Sequence, residues 1–338
     1  MKLFTVGIAA LLLLASHQGN GAGQEPPAGP AVPRAAIASI VDAYRQYRIV
    51  GIGDAHGNQL GEAFQLALIR DPSFRAVVSD VIVEYGNSRY QDLADRFVRG
   101  ENLAPETLQR IWLDTTQQQA ASLEVPELFT TVRALNASAP ADRRLRILLG
   151  EPPIEWEHLK TADDYKTWEA QPTSDQDWFG AELVRREVLA KNRRALALYG
   201  AAHFFRKVVN QSLVTILEKS QTKLFTIWTN AATELASLQP DVETWPVPSL
   251  ARVRGTVLGR TGLSTYLGAN AGDVSPQWLA PMEDQFDAIL YLGPLSTIKL
   301  ARPRPWRCAE PALAERVRRA NLQRPGLGDR IKANCVSG

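Results

Sequence analysis

The sequence predicts an α/β fold, a mostly parallel central sheet flanked by helices and carrying an irregular lid-like insertion. Three observations predict it. From Arg48 onward, short apolar, β-branched runs alternate with stretches of helical spacing. The runs are almost continuously apolar, as strands covered on both faces are, with none of the polar alternation of a half-exposed sheet. Residues 152–178 then break the rhythm with prolines, clustered acids and three tryptophans, a loop length that compact domains keep for function or leave disordered.

In chain order, residues 1–22 read as an export signal. Lys2 supplies the positive start, Leu3–Ala15 a short apolar stretch, and Gly21-Ala22-Gly23 the small residues of a cleavage site. That stretch is too short to span a bilayer comfortably, and no later run is apolar for longer. The expectation is an exported protein, periplasmic or secreted, with no transmembrane segment after signal removal. Residues 23–47 form a Pro/Gly/Ala-rich lead-in and first helix, and residues 48–300 the α/β domain. Its strands are expected at Ile49–Gly53, Val77–Val83, Leu145–Leu149, Ala195–Tyr199, Leu224–Trp228 and Ala288–Leu292. Helices are expected at Gln59–Ile69, Tyr90–Val98, Pro105–Leu113, Glu127–Leu135, Glu182–Lys191 and Ser212–Glu218, each with an apolar stripe. Residues 238–286 are irregular. Residues 301–338 form a basic C-terminal extension, and its arginines (Arg302, Arg304, Arg307, Arg316, Arg318, Arg319, Arg324 and Arg330) read as a solvated face. Cys308 and Cys335 are the only two cysteines, and in an exported chain such a pair predicts a disulfide.

Bulk properties narrow the partners. A chain of 338 residues buries enough surface to fold without covalent help. With 22% charged residues and a formal net charge of +2, no overall field recruits nucleic acid or an anionic membrane. The partner expected is a small-molecule or peptide substrate, recognised locally.

Candidate chemistry concentrates at strand ends. "RIVGIGDAHG" and "RALALYGAAHF" each run an apolar strand into glycine, a small residue and a histidine, and "VSDVIVEYGN" ends a third strand in Glu84. Ligands of open parallel sheets bind beyond the carboxyl ends of the strands. Asp54, His56, Glu84 and His203 are therefore expected to meet there, because a carboxylate buried alone is costly. Two chemistries suit the four. His56 could act as general base on water with Asp54 or Glu84 orienting it, or the two imidazoles and two carboxylates could hold a divalent metal that acidifies bound water. The spacing leaves both open. The chain has no Gly-x-Ser-x-Gly elbow, no Gly-x-x-x-x-Gly-Lys loop and no His-Glu-x-x-His helix, which disfavours covalent serine chemistry and nucleotide binding. Trp156 and Trp178 could line an apolar substrate groove, with plain packing as the alternative. His158 reads as exposed, and Asp175 and Asp177 as caps or first-turn acids of a helix.

Four segments, "GIGDAHG", "VIVEYGNSRYQDLADRFVRGE", "RREVLAKNRRALALYGAAHF" and "FDAILYLGP", resemble in order and spacing the motifs of the erythromycin esterase, ChaN and TIKI superfamily. The resemblance spans residues 48–293 and rests on those islands. It implies His56 as the activator of water for ester hydrolysis, Glu84 and His203 as its strand-end partners, and Arg186 and Asn192 as substrate-binding residues. The Gly-Asp-x-His spacing is closer to ChaN-like members than to the esterases. ChaN-like relatives imply an alternative without turnover, the binding of haem or another ligand.

Overall fold

The computed structural model describes residues 27–117, 125–208, 210–268, 276–299 and 308–336. The expected export signal and Arg302, Arg304 and Arg307 lie outside them. Eight strands form one sheet: β1 Arg34–Ala35, β2 Ile49–Asp54, β3 Asp80–Asn87, β4 Arg146–Glu151, β5 Ala195–Gly200, β6 Leu224–Thr229, β7 Ser249–Arg252 and β8 Ala288–Tyr291. Their order is β1-β7-β8-β6-β2-β5-β3-β4. From β8 to β4 every pairing is parallel, while β7 runs antiparallel to β8 and β1 antiparallel to β7. The fold is α/β with helices on both faces, as expected.

Alternation along the central strands builds two cores. Val50, Ile52, Val81, Val83, Leu196 and Leu198 face one, and Ile49, Ile82, Ala195, Ala197 and Tyr199 face the other. This is why the strands read as continuously apolar: both faces are covered. Gly51 follows from the second core, because a Cβ there would lie 2.4 Å from the Phe204 ring. The helix after β2, Gln59–Arg70, begins on Asn58, whose side-chain oxygen accepts from Leu60 N at 3.1 Å, a standard use of asparagine at an N-cap.

Several expectations need correction. β3 starts at Asp80 rather than Val77, since Asp71 caps a short helix, Pro72–Val77, in front of it. The stretch expected as one helix over Glu182–Lys191 is the end of an α-helix, Gln176–Leu183, followed by π-helical Val184–Leu189. β1 and β7 were not expected; β7 lies within the irregular stretch. The insertion at 152–178 is irregular but packed. Ile154, Trp156, Leu159 and Tyr165 form a small satellite core, against which the helix Ala312–Gln323 contributes Leu322. The C-terminal extension is likewise not a wholly solvated face. Arg316 and Arg319 are buried, Arg319 reaches Asp114 at 2.7 Å, and Arg318 donates to Leu159 O at 2.9 Å. Cys308 and Cys335 are joined, with 5.5 Å between their Cα atoms, closing the helices Ala312–Gln323 and Leu327–Val336 into one unit.

Candidate active site at the carboxyl edge of the sheet

β2, β5 and β3 lie side by side in the parallel part of the sheet, so their ends converge. Register pairs Asp54 with Gly200 and Val83 with Leu198, which sets His56, Glu84 and His203 around the Gly200 turn. Glu84 is the hub. It is buried and accepts a hydrogen bond from Gly200 N. One carboxylate oxygen is 3.5 Å from His203 Nε2 and the other 3.8 Å from His56 Nε2. Burial acts against its charge, but the bonded His203, the nearby His56 and the Gly200 amide hold its pKa below the ordinary glutamate value.

The two imidazoles differ. His203 is clamped, its Nδ1 2.7 Å from Asp177 Oδ1 and its Nε2 facing Glu84, and its ring edges onto Tyr199. Burial opposes its charge, yet Asp177 and Glu84 outweigh it and raise its pKa to about 10. At neutral pH it is an imidazolium. His56 is the open one, with a side chain 38% exposed and Nδ1 3.4 Å from Asp54 Oδ2. Burial again opposes charge, and Asp54 and Glu84 again win, raising its pKa. With Nδ1–H turned to Asp54, Nε2 carries the lone pair on the Glu84 side, and the ring helps to line a cavity of about 40 Å³ together with Asp54, Glu62, Glu84, Tyr85 and Tyr199.

As they stand, the four side chains expected to hold a metal pair with one another and with Asp177, Glu84 turning one oxygen to each histidine. Among the described residues no group of three or more His, Cys, Asp or Glu side chains could hold a metal ion.

The remaining expected site residues lie elsewhere. Trp156 is 2% exposed, with its indole N–H on Asp114 O at 3.1 Å and Arg319 over its ring; it packs and does not line the cavity. Trp178 is 38% exposed and borders a different groove, with Pro172, Asp175 and Arg206. Arg186 and Asn192 sit before β5 begins, while His203 follows its end, so a six-residue strand of about 20 Å separates them. Arg186 is 62% exposed and pairs with Glu187. Asn192 occupies a left-handed turn, φ 54°, a conformation asparagine tolerates better than most residues. His158 is 71% exposed beside Glu155.

Sequence reading missed three groups. Asp177 sits in the first turn of the helix Gln176–Leu183, as expected, but its carboxylate also binds His203, and only the fold brings the two together. Tyr85 lines the cavity and edges onto His56, ring centroids 5.1 Å apart. Glu151, at the end of β4, is fully buried with one oxygen unpartnered; burial chiefly, with Glu84 adding to it, pushes its carboxyl up to about 8.

No family model and no curated protein matches the sequence. Solved structures match in shape. A succinoglycan biosynthesis protein superposes with TM-score 0.51 at 8% identity, covering 78% of this chain and 94% of that one. A Bacillus cereus protein does so with TM-score 0.50 at 11% identity, covering 78% and 95%. The chain shares their fold. ChaN of Campylobacter jejuni, in a structure with cofacially bound haem, is similar at TM-score 0.38 and 12% identity, covering 57% of this chain and 85% of that one.

Proposed function

We propose that this protein is an exported hydrolase that cleaves an ester or amide bond of a small-molecule or peptide substrate with a water activated by His56. One observation carries the reading. Of two imidazoles sharing Glu84, one is locked as a cation between two carboxylates, and the other faces a cavity with its second nitrogen fixed by Asp54. An oriented imidazole with one nitrogen open is what a general base requires. His56 Nε2 takes a proton as the water oxygen bonds to the carbonyl carbon, and the carbonyl electrons move onto oxygen. Collapse breaks the bond to the leaving group, which receives the proton from His56. Asp54 fixes the tautomer and stabilises the imidazolium, while the Glu84–His203–Asp177 array holds the wall rigid. Export is supported by the disulfide, which belongs to oxidising compartments. No helix among the described residues is long and apolar enough to cross a membrane.

Binding of haem or another ligand without turnover is the second reading, with His56 as the side chain that would hold it. The test is a panel of ester and amide substrates with wild type and His56→Gln, each with and without chelator. Turnover in wild type, chelator-insensitive and about 10²-fold or more lower in His56→Gln, is expected, with kcat/KM rising as pH passes an apparent pKa above 6.5. Undiminished turnover in His56→Gln would remove the base assignment. A Soret band developing with added haem and lost in His56→Gln would favour binding without turnover.

A further inference from the structure

A carbonyl attacked by His56-activated water needs a hydrogen-bond donor for its developing oxyanion. Apart from His56 itself, the cavity wall offers three donor side chains, Gln65, Tyr85 and Tyr199. Tyr199 is committed, its hydroxyl donating to Gly150 O at 3.2 Å. Tyr85 is not. Its hydroxyl is buried with no hydrogen-bond partner, and its ring lies edge-on to His56.

The backbone shows how Tyr85 comes to be there. Tyr85 stands beside Glu84 on the cavity wall, where β3 departs from a regular strand. β3 leaves its ladder at this point. Val83 pairs with Leu149 and Asn87 with Glu151, so three residues of β3 lie opposite one of β4. Such irregularities re-aim side chains and gather next to active sites. A buried, unpartnered hydroxyl lowers stability, and the pairing of that loss with a re-aimed strand marks a group placed for something other than packing.

We propose that Tyr85 is a catalytic residue, donating its phenolic hydrogen to the carbonyl oxygen of the substrate as negative charge forms there. This rests on water activation by His56. Burial, together with the carboxylates of Glu84 and Asp54, keeps the phenol protonated well beyond the ordinary tyrosine range, so its hydrogen stays available to donate.

The experiment compares wild type, Tyr85→Phe and His56→Gln on 4-nitrophenyl acetate and 4-nitroacetanilide, with thermal melting of each. Tyr85→Phe is expected to lose about 10²-fold in kcat with KM little changed, and to melt at or above the wild-type temperature because it removes an unpaired buried hydroxyl. Full turnover in Tyr85→Phe with loss in His56→Gln overturns the Tyr85 role and leaves water activation standing. Equal turnover in all three overturns water activation itself. Melting several degrees lower in Tyr85→Phe shows a structural hydroxyl and overturns the assignment whether or not either substrate is turned over.

Discussion

A side chain at Gly200 would press directly on the site. A Cβ there would lie 2.7 Å from His56 Nε2 and 3.4 Å from Glu84 Oε2. Its own amide, bonded to Glu84, would be unchanged. His56 is the part that can give way, since it is the most exposed member of the cluster. Gly200→Ala is therefore expected to fold, to melt close to wild type and to lose about 10-fold or more in turnover, as a misplaced base does; full turnover with the alanine in place would mean that the open face of His56 is not where water reacts. Gly200 was legible only as a strand-end glycine. The histidines and Glu84 were legible because scarce ionisable residues stood directly after apolar runs. Asp177 was not, because its first-turn position explained it locally and its second bond crosses to a residue 26 positions away.

Among elements, the C-terminal helical pair tests how far the site depends on distant packing. Arg319 reaches Asp114 and Leu113 O, and Gln323 donates to Thr116 O. Thr116 N in turn donates to Glu151 at the carboxyl edge of the sheet. The pair has a small core of its own, Ala320, Leu327 and Ile331, so its integrity leans on the disulfide. A closure spanning 27 residues stabilises by about 3.5 kcal/mol in the chain-entropy model. Cys308→Ser should lower the melting temperature by several degrees and open residues 308–336 to protease first; unchanged melting and digestion would show the pair to be self-sufficient. The arginines of this extension were misread because a charge run predicts solvent by default, and only the partner carbonyls and Asp114, some two hundred residues away, show which of them turn inward. β1 and β7 were invisible for a related reason. With two and four residues, they carry too short a pattern, and their antiparallel edge position needs no long apolar run. The π-helical turn at Val184–Leu189 likewise leaves no mark in periodicity.

At the scale of the whole molecule, the parallel order β6-β2-β5-β3 delivers the three ionisable strand ends to one edge. That order was not legible, because apolar runs specify burial and not neighbours. The convergence it produces fixes the charge state of the site. The pKa of His203 is raised to about 10, above its unfolded value of about 6.5. Its contribution to stability is thus complete below pH 6.5 and declines as pH climbs from there to about 10. Glu84 is shifted the other way, below the ordinary glutamate value, so its contribution is present at neutral pH and is lost as the solution becomes acidic. The most direct measurement of this arrangement is an NMR titration of the imidazoles in wild type and Glu84→Gln. One imidazole, absent in His203→Gln, should remain protonated until about pH 10, and a second, absent in His56→Gln, should titrate at a lower pH but above 6.5, with both falling in Glu84→Gln. Two imidazoles titrating together near 6.5, and indifferent to Glu84, would contradict it.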